Sequence, residues 1–538
     1  MVAGLKLDDI QSGVNLDSYG IDSIMILDLN KIMEKDFKNI PKTLFFEFRN
    51  IEGVAEYLCK NFKDDVQRLF GKTKNVNLEN LVVENADQRC KKAEEVVIDK
   101  REEDIAIVGI DGRFPMADDV TQLWENLKNG RDCITEIPDE RWDHGKIYSQ
   151  NKEEKNKVYC KWGGFINGYK EFDADFFGIS PSEARLIDPQ ERLFLETVYH
   201  VLEDAGYTKE QLADKKVGVY VGVMNSHYQI LGAEELLKGH IIDARSSFAS
   251  IANRISYYFD FKGPSIGLDT MCSSSLTAIH LACESINNRE CDYAIAGGVN
   301  LIIHPNKYVF LSEQKFGSSD GHCRAFGKGG DGYVPAEAVG AILLKPLHKA
   351  VCDGDHIYAV IKGTSINHGG RTNGYTVPNP NAQSNLVYRT LKKAAINPES
   401  ISYIEAHGTG TYLGDPIEVR SLSQAFEKFT SKKQFCVIGS IKANIGHAEA
   451  AAGIASLIKV LLQIKYGYIV PSILANETND NINFEDSPFY LEKKLVPMKR
   501  YNNNPLRACI SSFGAGGANA HIIVEEYLDD KNVMENNC

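Results

Sequence analysis

The residues of this chain that can do covalent chemistry at neutral pH gather in three short stretches. In DTMCSSSLTAIHLA (269–282), Cys272 ends an extended approach and a small-residue turn, after which Leu276, Ile279, Leu281 and Ala282 keep to one helical face. A thiol at the foot of a buried helix sits where the helix dipole and unpaired N–H groups favour a thiolate and can hold a developing oxyanion. One cysteine alone carries little weight, because most free cysteines are small buried hydrophobes. The other two stretches, EAHGTGTYLGDPIE (405–418) and KANIGHAEAAAG (442–453), each set a histidine beside glycine at the end of a β-branched run. A cysteine with two separately presented histidines offers a nucleophile and two imidazole hydrogen-bond donors.

Elements able to position these stretches are visible in the pattern. Short apolar, mostly β-branched runs stand at 105–110, 217–223, 293–296, 341–344, 358–361, 401–404, 437–441 and 521–524, separated by helical or glycine-rich segments. Buried strands alternating with helices predict a layered α/β domain. The stretch 188–196 reads as a helix with proline near its start. GKGGDG (327–332) lacks the spacing of a P-loop and reads as a loop lining a pocket.

A chain of 538 residues accommodates one large α/β domain and something smaller. Its formal charge of −13 argues against nucleic acid as the working partner. Twelve cysteines include no C-x-x-C pair and no regular spacing, and no His-Glu-x-x-His occurs, so neither a disulfide framework nor a metal site is expected. No basic leader with an apolar core opens the chain. The longest apolar helix, 454–464, is interrupted by Lys459 and too short to span a bilayer, so no membrane span and a cytoplasmic location are expected. His227, His304 and His322 belong to no recurring motif and read as ordinary loop or core histidines.

The first sixty residues form a unit of their own, with an amphipathic helix starting at Ser23 and another over 51–62. Residues 63–103 alternate acidic and basic side chains and read as a charged linker with some helix. The expected organisation is 1–62, a partial all-α carrier-like segment; 63–103, the linker; 104–528, the α/β domain; and 529–538, a tail.

Around Cys272, His407 and His447 the sequence resembles the ketosynthase (β-ketoacyl synthase) domains of modular polyketide synthases, in the thiolase superfamily, over about residues 105–526. The stretches 160–166, 172–184 and 188–196 also resemble these domains, and 367–383 and 513–521 are similar to the branch served by acyltransferases acting in trans. GIDSI (20–24) resembles the site where acyl carrier proteins receive 4'-phosphopantetheine, here on Ser23, in a truncated carrier segment.

The resemblance implies a duplicated, five-layered thiolase-like fold with two mixed half-sheets around central helices, and a homodimer. It implies that Cys272 takes an acyl chain from a carrier protein and that its N–H, with that of Phe513, holds the oxyanion. His407 and His447 would stabilise the enolate left by decarboxylation of a malonyl carrier. Lys442 would support that site electrostatically, and Thr409 and Thr411 would bond the pantetheine arm or cap a tight turn. Met271 is a candidate for shaping the acyl pocket. Acidic carriers, and indirectly a trans-acting acyltransferase, are the implied partners, which calls for a local basic patch. Three competing readings stay open: a ketosynthase that only passes chains between carriers, a cysteine hydrolase of another fold, and a non-catalytic partner.

Overall fold

The computed structural model describes residues 10–19, 23–37, 40–41, 43–48, 50–70, 103–213 and 215–528. Residues 71–102 of the expected linker, the tail 529–538 and Gly20 to Asp22 of the GIDSI stretch lie outside the described residues. The rest falls into two units that part between residues 103 and 104, with Arg371–Val377 grouped in the first.

The first unit is helical: α1 (Ser23–Met33), α2 (Leu44–Glu47), α3 (Ile51–Asn61) and α4 (Lys63–Phe70). Asn50 caps α3 by accepting the Gly53 N–H, and Val54 and Leu58, four residues apart, turn inward. They meet Leu16, Ile26, Phe37, Ile40 and Leu44 in one small core.

The second unit is built on eleven strands. In its first half these are β1 (Ile105–Arg113), β2 (Val217–Gly222), β3 (Ser265–Leu268), β4 (Tyr293–Asn300) and β5 (Ala338–Pro346). The second half has β6 (Ala359–His368), β7 (Tyr403–Glu405), β8 (Cys436–Gly439), β9 (Phe489–Leu491), β10 (Arg507–Phe513) and β11 (Ala518–Glu525). Their spatial order is β9-β8-β7-β10-β11-β6-β1-β5-β4-β2-β3.

Read outward from β1, the first half runs β1-β5-β4-β2-β3; read outward from β6, the second runs β6-β11-β10-β7-β8, then β9. The pairing directions match as well. Strands β4, β2 and β3 are mutually parallel, as are β10, β7 and β8, and in each half the two strands nearest the midline run antiparallel. One topology therefore occurs twice. A three-residue antiparallel pairing, Ile105↔Ile361 to Ile107↔Ala359, joins the two half-sheets into one continuous sheet.

Helices α5 (Pro189–Asp204) and α6 (Phe248–Phe259) cover the first half, and α8 (Pro380–Lys393) and α9 (Gly414–Phe426) the second. Between the halves lie α7 (Ser274–Asn287) and α10 (Ala452–Tyr466). Strand alternation makes the five layers possible. On β5, Val339, Ala341 and Leu343 face α5 while Ala338, Ile342 and Leu344 face the middle. On the other half, Ala508 and Ile510 face the middle and Cys509 faces outward. The helix with proline near its start is α5, whose first turn is capped by Asp188 accepting the Gln190 N–H at 2.9 Å.

The two central helices start against one another. Ser275 Oγ accepts the Ile454 N–H at 3.0 Å, and Gly453 faces Leu276 without room for a side chain. Alanine in a helix is ordinarily worth about 1 kcal/mol over glycine. A methyl on residue 453 would, however, lie 2.6 Å from Leu276 Cγ and 3.0 Å from the Leu276 nitrogen. Overpacking decides the sign, so Gly453→Ala should cost about 1–3 kcal/mol. Scanning calorimetry of the full chain checks this; an unchanged or raised midpoint would refute it.

Candidate active site

Three connections that leave parallel strands on the side of the central helices carry the chemistry. Cys272 lies between β3 and α7, His447 between β8 and α10, and His407 just beyond β7. Because β3–α7 and β8–α10 are equivalent steps of the repeated topology, the thiol and His447 occupy matching positions in the two halves.

The cysteine sits on a strained elbow. Met271 has φ 59°, in the left-handed region, with its N–H donated to Asp269 Oδ1 at 2.7 Å and its carbonyl accepting the Ser274 hydroxyl at 2.6 Å. Ser512 at the end of β10 donates its hydroxyl to the Cys272 carbonyl at 2.6 Å, tying the elbow to the second half. Gly514 comes so close that a Cβ would meet the Thr270 carbonyl at 2.5 Å.

Both imidazoles are held through the same nitrogen. His407 Nδ1 accepts the Phe513 N–H at 3.3 Å, and His447 Nδ1 accepts the Glu449 N–H at 3.0 Å. With Nδ1 occupied as an acceptor, each neutral ring carries its proton on Nε2 and presents it as a donor. The rings lie 5.3 Å apart at 82°. Burial, followed by the charge of Lys442, holds both well below the ordinary histidine range, so both are neutral donors.

Lys442 is 1% exposed, in the turn after β8. Burial lowers it from the usual lysine range while the charges of Glu405 and Glu418 act to raise it. Glu405 accepts the Ile441 N–H at 2.6 Å, the Tyr403 hydroxyl at 2.7 Å and the Lys459 ammonium at 2.8 Å, joining the ends of β7 and β8 to α10.

The thiol departs from the expectation. Burial pushes Cys272 up to about 12, and the nearby charge of Glu449 adds to this, against the opposing effects of Lys307, Lys442 and the Ala515 N–H. Desolvation outweighs the helix dipole here because the helix begins only at Ser274 and the sulfur lies in a dry pocket.

Two backbone N–H groups at the end of β10 point to different partners. The Phe513 N–H is committed to His407, whereas that of Ala515, two residues on, bonds the thiol. Thr411 Oγ1 accepts the Gly414 N–H at 3.2 Å and lies 3.3 Å from Thr409 Oγ1, so Thr411 serves the tight turn into α9. His322 pairs with Asp132 and His304 with Glu234, while His227 lies near His304. Among the described residues no group of His, Cys, Asp and Glu is arranged to hold a metal ion.

Two acidic residues inside the 405–418 stretch have roles that the sequence reading left unassigned. Glu418 accepts the N–H groups of His407 and Gly408 at 2.7 and 2.8 Å, and Asp415 accepts those of Phe326 and Gly410 at 2.7 and 3.2 Å. The signal was their one-turn spacing after a glycine-rich loop, which puts two carboxylates under one set of unpaired N–H groups.

Family models match in the same places. The model of the β-ketoacyl synthase N-terminal domain covers residues 102–350 and that of its C-terminal domain 358–476, together more than half of the chain. The chain belongs to the β-ketoacyl synthase family. This ketosynthase domain is preceded by a match to the phosphopantetheine attachment site over residues 2–58.

The chain is 52% identical to polyketide synthase PksL of Bacillus subtilis over 98% of its length, and 47% identical to polyketide synthase ThaG of Burkholderia thailandensis over 96%. It spans only 12% and 10% of those proteins. Among solved structures, the oxazolomycin ketosynthase domain OzmH KS7 of Streptomyces albus is 51% identical with TM-score 0.77, covering 80% of this chain and 76% of that one. The module 6 ketosynthase of the Bacillus subtilis bacillaene synthase is 45% identical with TM-score 0.75, covering 79% and 73%. The chain thus carries a ketosynthase domain of polyketide synthase type with the thiolase-like fold, an acyltransferase-class enzyme, and 4'-phosphopantetheine is the group of its N-terminal segment.

Burial raises Glu418 to about 7 and Asp415 to about 6, above the ordinary 4.5 and 3.8. The folded chain therefore keeps these protons to higher pH than the unfolded chain. The stability they contribute is complete below about pH 4 and is lost as pH rises through 6 to 7. Glu418→Gln should lose less stability between pH 5 and 8 than wild type, read as thermal midpoints; equal losses would contradict the assignment.

Proposed function

We propose that this ketosynthase forms carbon–carbon bonds by decarboxylative Claisen condensation. The observation that carries the reading is the shared orientation of His407 and His447, each pinned at Nδ1 so that both present neutral Nε2–H donors, with their rings 5.3 Å apart. An enolate needs that arrangement, because its oxygen takes up negative charge in the transition state.

In the first half-reaction the Cys272 sulfur attacks an acyl carrier thioester, the new C–S bond replaces the old one, and the carrier leaves as a thiol with the proton. The oxyanion falls to the N–H of Cys272 with that of Phe513 or of Ala515, and the bond of the Ala515 N–H to the thiol supports Ala515. In the second half-reaction a malonyl carrier loses carbon dioxide, and His407 and His447 hold the enolate oxygen. The enolate carbon then attacks the Cys272 thioester, giving the β-ketoacyl carrier and restoring the thiol. Lys442 keeps both imidazoles neutral and opposes the cost of charge at the sulfur. Thr409 is assigned to the incoming pantetheine arm, and Met271, one residue before Cys272, to the acyl pocket.

Ser23 opens α1, where a helix N-terminus favours a phosphodiester, and the small core beneath gives that helix a support. Ser23 is thus the residue to hold 4'-phosphopantetheine, which supplies a terminal thiol for carrying acyl groups. Partners of this module are acyl carriers charged by an acyltransferase acting in trans. A groove of about 380 Å³ that gathers Arg389, Lys392 and Lys393 offers the cations an acidic carrier requires. Strand β3 is an open edge of the sheet with Ile266 40% exposed, which supports a homodimer joined there. Free thiols at ten described cysteines agree with a cytoplasmic setting. Among the described residues no helix is long and apolar enough to cross a membrane.

The purely transferring alternative is disfavoured by the retention and orientation of His407. The test is to acylate the full chain with a panel of acyl thioesters, confirm acyl-Cys272 by peptide mass, and then add malonyl carrier. Cys272→Ala should abolish acylation. His407→Ala and His447→Ala should keep acylation and slow condensation about 10²–10³-fold, as expected for removing one oxyanion donor. Stable acylation of the wild-type chain without any β-ketoacyl product would sink the condensing role.

A further inference from the structure

Beneath the nucleophile lies a buried ion pair that the reaction scheme above does not use. Lys307, 4% exposed, and Glu449, 0% exposed, form a salt bridge. The Glu449 carboxylate also accepts the Tyr333 hydroxyl at 3.1 Å and the Asn225 amide at 3.0 Å. Asn225 bonds Asn300 at 2.8 Å, which in turn donates to the Ala336 carbonyl at 2.8 Å. Glu449 has φ 48°, a conformation that a glutamate keeps only when its surroundings impose it. That backbone turn aims its N–H at His447 Nδ1.

All of these partners come from the first half of the fold except Glu449, which follows His447 in the second. A buried pair seldom adds net stability, since desolvation of both charges offsets their attraction. Placing one, with two further polar side chains on its carboxylate, just after His447 therefore points to a use other than stability.

We propose, resting on the nucleophile assignment above, that Lys307 and Glu449 are positioning residues for acyl transfer: Lys307 supplies the cation that balances charge on the Cys272 sulfur, and Glu449 fixes that cation in place while its backbone holds His447. The two charges act on the sulfur in opposite directions, Glu449 against the thiolate and Lys307 for it. Other titratable groups face the same space. Lys442 and Tyr333 act on the sulfur, and His227, Tyr308, Tyr333 and His447 feel the charges of the pair, with His407 stacked edge-on against His447 and His304 near His227. Substitutions within the pair keep every one of these side chains in the chain, and the opposite signs of the two single variants separate the pair's charges from any shared effect on its neighbours.

The experiment measures the rate of iodoacetamide alkylation of Cys272 in the full chain at pH 8, resolved by peptide mass. Glu449→Gln keeps the N–H that holds His447 but removes the negative charge, and should speed alkylation about tenfold, the effect of one pKa unit. Lys307→Met should slow it about tenfold. The double variant, which buries no uncompensated charge, should return to within about threefold of wild type. Tyr333→Phe, which deletes a hydrogen bond and no charge, should leave the rate unchanged.

Single variants that shift in the same direction, or that stay within threefold of wild type, overturn the proposal. If one single variant does not fold, the other must still differ from the double variant in the stated direction, and equal rates overturn it. Failure of wild-type Cys272 to be labelled or acylated at all would instead defeat the nucleophile assignment.

Discussion

Two backbone N–H groups set the tautomers of the paired histidines. Phe513 and Glu449 each donate to an imidazole Nδ1, and so determine which nitrogen of His407 and His447 carries the proton. A ring freed to flip would present a lone pair where the held ring presents a donor. The strand end at Phe513, the left-handed turn at Glu449 and the carboxylate of Glu418 under the His407 loop all serve that one constraint.

The repeated topology explains how such a site arises at the centre of the molecule. Each half sends connections toward the middle, and the crossing of α7 and α10 at Gly453 brings their starts together. The sulfur comes from one copy of the motif and both imidazoles from the other. Neither half holds a complete site, and the short pairing of β1 with β6 keeps the two in register.

Much of this was legible in the residues. All eight apolar runs became strands, because buried strands in a two-sided sheet are continuous in hydrophobicity. Three strands escaped: SIGL at β3 lies on an open edge and is only partly buried, FYL at β9 is three residues long, and RACISSF at β10 mixes serines with apolar residues. Cys272 stood out through its small-residue turn before a helix, and both histidines through the glycine beside each. Lys307 did not, since a lysine on a short helix gives no sign that it is buried against a glutamate more than a hundred residues away. The bond of the Ala515 N–H to the Cys272 thiol was likewise hidden, since a loop of small residues does not reveal where each N–H points until its turn is known.

The state of the sulfur has a further consequence for selectivity. A thiol lifted to about 12 in a buried pocket is a poor scavenger, whereas Cys59 and Cys352 lie exposed on the surface. Small electrophiles diffusing in solvent meet those two first. Cys272 is shielded by depth and by its own reluctance to ionise, and answers more slowly than the surface thiols to a reagent that is not delivered on a slender tether. Discrimination between accidental modification and productive loading is thereby a matter of access, built into the architecture before any particular acyl group is chosen.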